Sequence, residues 1–315
     1  MKKFDIVVVG DCNIDLIFNR YKKIPSYGEE VLAQQFDVVL GSSAGITAAH
    51  LAALGARVAY IGAVGADGFG RQFKELMTQQ GVNTDYMVEK PAYKTGCTVV
   101  MSHDEERANL TYAGAMEHLM PSDVPRKLIE QTAYLHISNP YVLPFFKNVL
   151  PDFFKFVRSK GVHTSLDPQW DVNDEWDTDL RALLPYLDVF FPNEKELHFL
   201  LSGNKIKASE LPQLCHHAIV STQGSSGGQV IKPEGGSHFK SYLNKRVIDC
   251  IGAGDAFNAG FLAARIEGQS LEAAIDLACR NAALSTTVAG GTVSYTSRED
   301  FNNLFKKHFP NACDV

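Results

Sequence analysis

IDCIGAGDAFNAGF, residues 248–261, places Asp249, Gly252, Gly254 and Asp255 directly ahead of an apolar run, 256–266, that is spaced like a buried helix. Glycine is a poor helix former, and a carboxylate beside a core is costly. Both residue types make sense at a helix start. The first backbone N–H groups there lack partners and carry the positive end of the helix dipole. Glycine lets the main chain approach an anion with no Cβ in the way. The dipole also favours a first-turn carboxylate, so Asp255 is expected to be ionised at neutral pH. An ionised base beside an anion hole suits movement of a phosphoryl group. Taken alone, G-x-G-D reads more readily as a helix cap and a turn.

Outward from this stretch, short apolar runs alternate with amphipathic segments. Strands are expected at 5–10, 57–65, 133–138, 162–168, 188–192 and 217–224, and helices at 44–55, 69–81, 145–160, 178–184 and 193–201. Gly55 and Gly81 stop the first two helices. Strands rich in Val, Ile and Phe, joined by crossovers of helical length, imply an α/β fold with a doubly wound, mainly parallel sheet covered on both faces. Regions 12–40 and 84–112 break this rhythm. They alternate with period 2, as in EEVLAQQFDVVL and TGCTVVMSHDEERANLTY, with no helix between. They are expected to form a small antiparallel sheet that projects from the main layer and closes over a ligand as a lid. A plain edge extension is the other reading.

Composition narrows the partners. The chain has 315 residues, 45% hydrophobic and 21% charged, with a net charge of −6. That is an ordinary soluble composition, large enough for one big core. Without a basic stripe and interleaved aromatics, neither nucleic acid nor an anionic membrane is expected as a partner. Cys12, Cys97, Cys215, Cys250, Cys279 and Cys313 lack C-x-x-C spacing, so reduced thiols in a cytoplasmic protein are expected. The run in MKKFDIVVVGD is cut by Asp5 and Asp11 and reads as a first strand rather than a signal segment. Its turn, Gly10-Asp11-Cys12-Asn13, is no G-x-G-x-x-G, and a Walker A loop occurs nowhere.

The longer run DCIGAGDAFNAGF resembles the signature of the ribokinase-like, or PfkB-type, carbohydrate kinases, whose usual form is D-T-x-G-A-G-D-x-F. Other segments resemble the family's motifs in order. They are VGADGFG (64–70), YAGA (112–115), LDPQWD (166–171), PNEKE (192–196) and STQGSSGG (221–228). Each is weak alone, but the ordered set spans about 5–295 and is specific. The resemblance implies a single three-layer ribokinase-like domain over 1–315, and the family's β lid coincides with 12–40 and 84–112. It implies ATP-dependent phosphorylation of a hydroxyl of a neutral sugar, with Mg2+ and, at a further position, K+.

Carried over residue by residue, the resemblance implies that Asp255 is the base and the amides of Gly252, Ala253 and Gly254 the anion hole. Asn193 and Glu196 would act on phosphate and on magnesium-bound water, and Asp249 on the loop or a monovalent cation. Oxygen ligands and retained water suit a hard cation; an ordinary helix cap is the other reading of the pair. Thr222, Gly224, Gly227 and Asn281 would line the nucleotide. In GDCNID, Asn13 and Asp15 alternate onto one face and would reach acceptor hydroxyls. Gly41, Ser42 and Ser43 would border the acceptor, and Arg107 would enter from the lid.

The departures bear on the substrate. Where the family has G-G-x-x-x-N-x-A, this chain has Ser42 for the second glycine and Ile46 for the asparagine. Isoleucine cannot supply the lost hydrogen bonds, so Ser42 or Ser43 is expected to. Ser43 also stands where phosphosugar kinases carry a basic residue, which favours a neutral acceptor. Gln169 and Asp171 replace the usual Asn and Arg of D-P-N-x-R, and Cys250 the usual Thr. A nucleoside kinase on the same scaffold, or a sugar- or nucleotide-sensing protein without turnover, are the competing readings. A homodimer through the lid is expected, because an exposed sheet edge tends to be covered.

Overall fold

The computed structural model describes residues 2–103, 106–291 and 293–310, with the backbone alone at 102, 103, 106 and 107. Cys313 lies outside these residues. In chain order the first strands are β1 (Phe4–Val9), β2 (Asn13–Asn19), β3 (Gln35–Leu40), β4 (Val58–Ile61), β5 (Ala63–Val64) and β6 (Val88–Glu89). Next come β7 (Gly96–His103), β8 (Glu106–Tyr112), β9 (Thr132–Ser138), β10 (His163–Asp167) and β11 (Val189–Phe190). The last are β12 (Ala218–Thr222), β13 (Gly228–Lys232) and β14 (Gly235–Phe239).

Eight strands form the main sheet in the order β14-β13-β12-β11-β10-β9-β1-β4. The six from β12 to β4 run parallel, and β13 and β14 add an antiparallel edge. Successive residues of β1 serve opposite cores. Val7 and Val9 pack with Phe146, Phe154 and Leu200, whereas Ile6 and Val8 pack with Phe73, Phe261 and Phe301. Burial on both faces is why the strands read as unbroken apolar runs. Each such side chain contributes about 1.5–3 kcal/mol when fully buried.

The order in which strands are added reverses between β1 and β9. From β1 the chain proceeds to β4 on one side; from β9 it proceeds through β10, β11 and β12 on the other. In open α/β sheets the crevice beyond the carboxyl ends at such a switch point is where ligands bind. Asp11 follows β1 and Asn139 follows β9, so the topology brings these two together.

A second sheet, β3-β2-β7-β8, is made from the two regions of period-2 alternation. Its outer pairs are antiparallel, but the central β2–β7 pair runs parallel. Both strands leave the main body in the same direction, one after β1 and one after the segment that follows β6, so they meet side by side. Other boundaries shift for local reasons. The expected strand 57–65 divides into β4 and β5 at Gly62, where a Cβ would overlap Cys12 Sγ and the Gly10 carbonyl. The expected helix 145–160 divides into Pro144–Lys147 and Leu150–Ser159, with Pro151 opening the second piece. The β13–β14 hairpin and the helices Leu271–Ser285 and Arg298–His308 were not anticipated. No helix among the described residues is long and apolar enough to cross a membrane.

Candidate active site

The carboxyl ends of β1, β9 and β10, the start of β2 and the signature loop surround a cleft of about 330 Å3. Asn13, Asp15, Gly41, Ser42, Ser43, Gly252 and Asp255 all line it, so the structure assembles the expected acceptor side and the expected base around one space. The signature helix is Ala253–Ile266, with Gly252 as its N-cap at φ 72°. That left-handed conformation favours glycine, and a Cβ there would press on Gly291 and on Ile46.

Asp255 is buried, with a relative exposure of 6%. Its carboxyl is pushed well above the usual carboxylate range, first by burial and then by the charges of Asp167, Asp11 and Glu196; a hydrogen bond from the Ser43 side chain pulls it back. This push runs against the dipole on which the expectation of an ionised Asp255 was based. A helix dipole stabilises a first-turn carboxylate by about 0.3–1 kcal/mol at exposed sites. Desolvating an ion costs several kcal/mol, and here three more carboxylates face it. Burial wins.

The neighbouring acids share this environment. Asp167 is pushed up to about 6, mainly by burial. Glu196 is pushed up to about 8 by burial and by Asp167. Asp11, raised by burial, is held at the start of the helix Ser43–Ala53, where it accepts from the Ala44 amide at 3.1 Å, the Ser43 amide at 3.2 Å and Asn139 Nδ2 at 3.2 Å.

The three amides expected to form an anion hole are not equivalent. The Ala253 N–H turns back to the Cys250 carbonyl at 3.3 Å. Among the described residues, the amides of Gly252 and Gly254 meet no acceptor. The space in front of Gly254 is open, since a Cβ there would touch nothing within 4 Å. Two of the three expected donors are therefore available. Asp249 ties the loop together, with Oδ1 accepting from the Ile251 amide and Oδ2 from the Gly290 amide, each at 2.9 Å.

On the acceptor side, Asn13 is an internal brace. Its amide donates to Asp15 at 2.8 Å and to Thr98 at 3.0 Å, and its oxygen accepts from the Ser42 amide at 2.8 Å. Asp15 is thereby held on the cleft, pressed over Gly41, where any Cβ would overlap it. Ser42 cannot replace the missing asparagine. Its hydroxyl caps the helix Ser43–Ala53 by accepting from Gly45 and also meets Asp11 and Tyr60, all inside the protein. Ile46 is buried against Gly252 and Gly291 and supports the signature loop. Arg107 lies opposite Ser102 on β8, and its side chain is outside the described residues.

The nucleotide candidates divide. Asn193 and Thr222 form a bridge between neighbouring chain segments, and the Gly224–Gly227 turn follows Thr222. Gly227, at φ 95°, lies against the Phe239 carbonyl, where a Cβ would collide. Asn193 and Glu196 cap the helix Glu194–Gly203 reciprocally, at 2.9 Å in both directions. Asn281 behaves differently from expectation. It is fully buried, donates to the Ala256 carbonyl at 2.7 Å and accepts from Tyr295 at 2.6 Å, so it fastens two helices and offers nothing to a ligand. A larger cavity of about 1360 Å3 lies between residues 237–248, the helix Leu271–Ser285 and residues 307–310. It contains none of the expected site residues; the reactive groups surround the smaller cleft.

The residues suit magnesium only through water and phosphate. Among the described residues, no three of His, Cys, Asp and Glu are grouped to hold an ion directly. Glu196 and its buried neighbours are oxygen donors, which a hydrated hard cation accepts. Sequence reasoning missed Asp11, Thr98, Asn139 and Trp170, all of which line the cleft. The position of Asp11 just beyond β1, the first expected strand, was the available signal.

The pfkB family carbohydrate kinase description matches residues 3–298. A ribokinase from Bacillus subtilis is 27% identical over 95% of this chain and 99% of its own length. A nucleoside kinase from Methanothermobacter thermautotrophicus is 24% identical over 85% of this chain and 84% of its own. A structure of the ribokinase II type from E. coli, solved with ATP and Mg2+, superposes with a TM-score of 0.81 at 19% identity, covering 97% of this chain and 100% of that one.

Proposed function

The chain belongs to the pfkB family of carbohydrate kinases, and we propose that it moves the terminal phosphoryl group of ATP to a hydroxyl of a neutral sugar or sugar-like acceptor. The observation that carries this reading is that Asp255 and Gly252 line the same cleft as Asn13 and Asp15. Asp15 accepts hydrogen bonds from acceptor hydroxyls, held in place by Asn13. Asp255 takes the proton of the reacting hydroxyl as its oxygen forms a bond to phosphorus and the bond to the departing ADP oxygen breaks. The Gly252 and Gly254 amides donate to the oxygens of the moving group. Magnesium, when bound with the nucleotide, neutralises phosphate charge; Asn193 and Glu196 would hold it through water. Asp249 keeps the signature loop in place through the Ile251 and Gly290 amides and would stand beside a monovalent cation, taken as K+.

The acceptor is neutral because no Lys, Arg or His side chain lines the cleft among the described residues, whereas Asp11, Asp15 and Asp255 do. The nucleotide lies along the Thr222–Gly227 turn. Ser241 donates to the Gly224 carbonyl at 2.8 Å and joins that turn to the large, partly apolar cavity, which suits a base. The β3-β2-β7-β8 sheet is the lid of a single unit spanning 1–315.

Acceptor-dependent ADP release, measured across pentoses, hexoses, keto-deoxy sugars, phosphosugars and nucleosides, tests the reading. Turnover of a neutral sugar is expected. Turnover confined to phosphosugars would overturn the neutral acceptor, and binding without turnover of any acceptor would favour a sensor.

A further inference from the structure

We propose that Gln169 is a positioning residue for Asp255: its side-chain amide, clamped by Asp167, gives one N–H to one carboxylate oxygen of Asp255 and leaves the other oxygen to face the acceptor. The inference rests on the reading of Asp255 as base.

The geometry is a line of four side chains, Asp255, Gln169, Asp167 and Asn258, closed by one turn of the signature helix. Gln169 Nε2 lies 2.8 Å from Asp167 Oδ2 and 3.1 Å from Asp255 Oδ1. An amide nitrogen has two hydrogens, so one can serve each carboxylate. Asp167 is itself fixed, accepting the Gln169 backbone N–H at 3.1 Å and Asn258 Nδ2 at 2.6 Å. Asn258 stands three residues after Asp255, one turn along the same helix. The ring therefore leaves the signature helix through Asn258 and returns to it through Asp255.

Local structure supports a selected arrangement. Gln169 adopts φ 55°, a left-handed conformation that is disfavoured for a residue with a Cβ. The Asp167 contacts hold it there. Gln169 lines the cleft, and its neighbour Asp171 points away, buried and accepting the Asn173 and Trp176 amides. The charged groups acting on Asp255 are Asp167 at the end of β10, Asp11 beyond β1 and Glu196 from the helix Glu194–Gly203. Against three acids, a neutral donor between the two nearest carboxylates keeps both in place and favours the ionised form of the base. An asparagine, one methylene shorter, is expected to reach less far toward Asp255.

Gln169→Met keeps the length and removes both N–H donors; Gln169→Asn keeps an amide and adopts the left-handed conformation more readily. Both variants are compared with the whole wild-type chain. Losing a donor to the ionised form should move the acid limb of the kcat–pH profile upward by about one pH unit and lower kcat near neutrality by about tenfold. The KM for ATP should stay unchanged. A merely structural role would lower the melting temperature and leave the pH limb where it was. The second readout is the 13C carboxyl titration of Asp255, assigned through Asp255→Asn, which needs no turnover; it should move to higher pH in both variants. Superimposable titrations and pH profiles in wild type and the variants would overturn the proposal. Absence of wild-type turnover on every acceptor would instead strike the reading of Asp255 as base, with the carboxyl titration still deciding the role of Gln169.

Discussion

Four carboxylates, Asp11, Asp167, Glu196 and Asp255, act on one another where β1, β10 and two helix starts converge. Each is raised by burial before any neighbour is considered. Such a group binds its proton more tightly in the folded chain than in the unfolded one. Its stabilising contribution is therefore complete below the unfolded value and is lost as pH rises through the folded value. For Asp167 that window runs from 3.8 to about 6, and for Glu196 from 4.5 to about 8. Buried His50 and His136, both lowered, oppose this trend up to 6.5, so the melting temperature, measured without nucleotide, should fall as pH rises from 6.5 to about 8. Glu196→Gln should flatten the upper part of that fall. A profile rising steadily across the interval, or one unaltered by Glu196→Gln, would contradict the burial argument.

The principal elements could be read from period and punctuation, because strands buried on both faces and glycine-stopped helices leave strong local signals. The signature helix was legible for the same reason: its apolar run and its two leading glycines agree. What escaped reading depended on contacts distant in sequence. Gly62 divides a strand only because Cys12 and Gly10 lie beside it. Ser42 looks like a free hydroxyl until the fold brings Asp11 and Tyr60 to it. Asn281 sits on a helix whose position relative to Ala256 and Tyr295 no local pattern encodes. The upward push on the Asp255 carboxyl escaped reading for this reason too. The helix dipole is local and visible, whereas Asp11, Asp167 and Glu196 arrive from 244, 88 and 59 residues away.

At the scale of the whole molecule, a switch point between β1 and β9 sets the cleft, and a projecting sheet stands beside it. That sheet exposes Leu110 at 72% and Phe36 at 53%, and Leu32 on the adjoining segment at 80%. Exposed apolar side chains on a sheet with open edges mark a surface that another chain covers. Light scattering should therefore find a dimer, and Leu110→Asp should shift it toward monomer; a monomeric wild-type chain would remove the lid from that role. The central claim, that the signature helix start and its aspartate handle a phosphoryl group in transit, is tested most directly by Asp255→Asn. With the acceptor found by screening, kcat should fall by about 100-fold or more while ATP binding stays near wild type. Turnover equal to wild type would contradict the account.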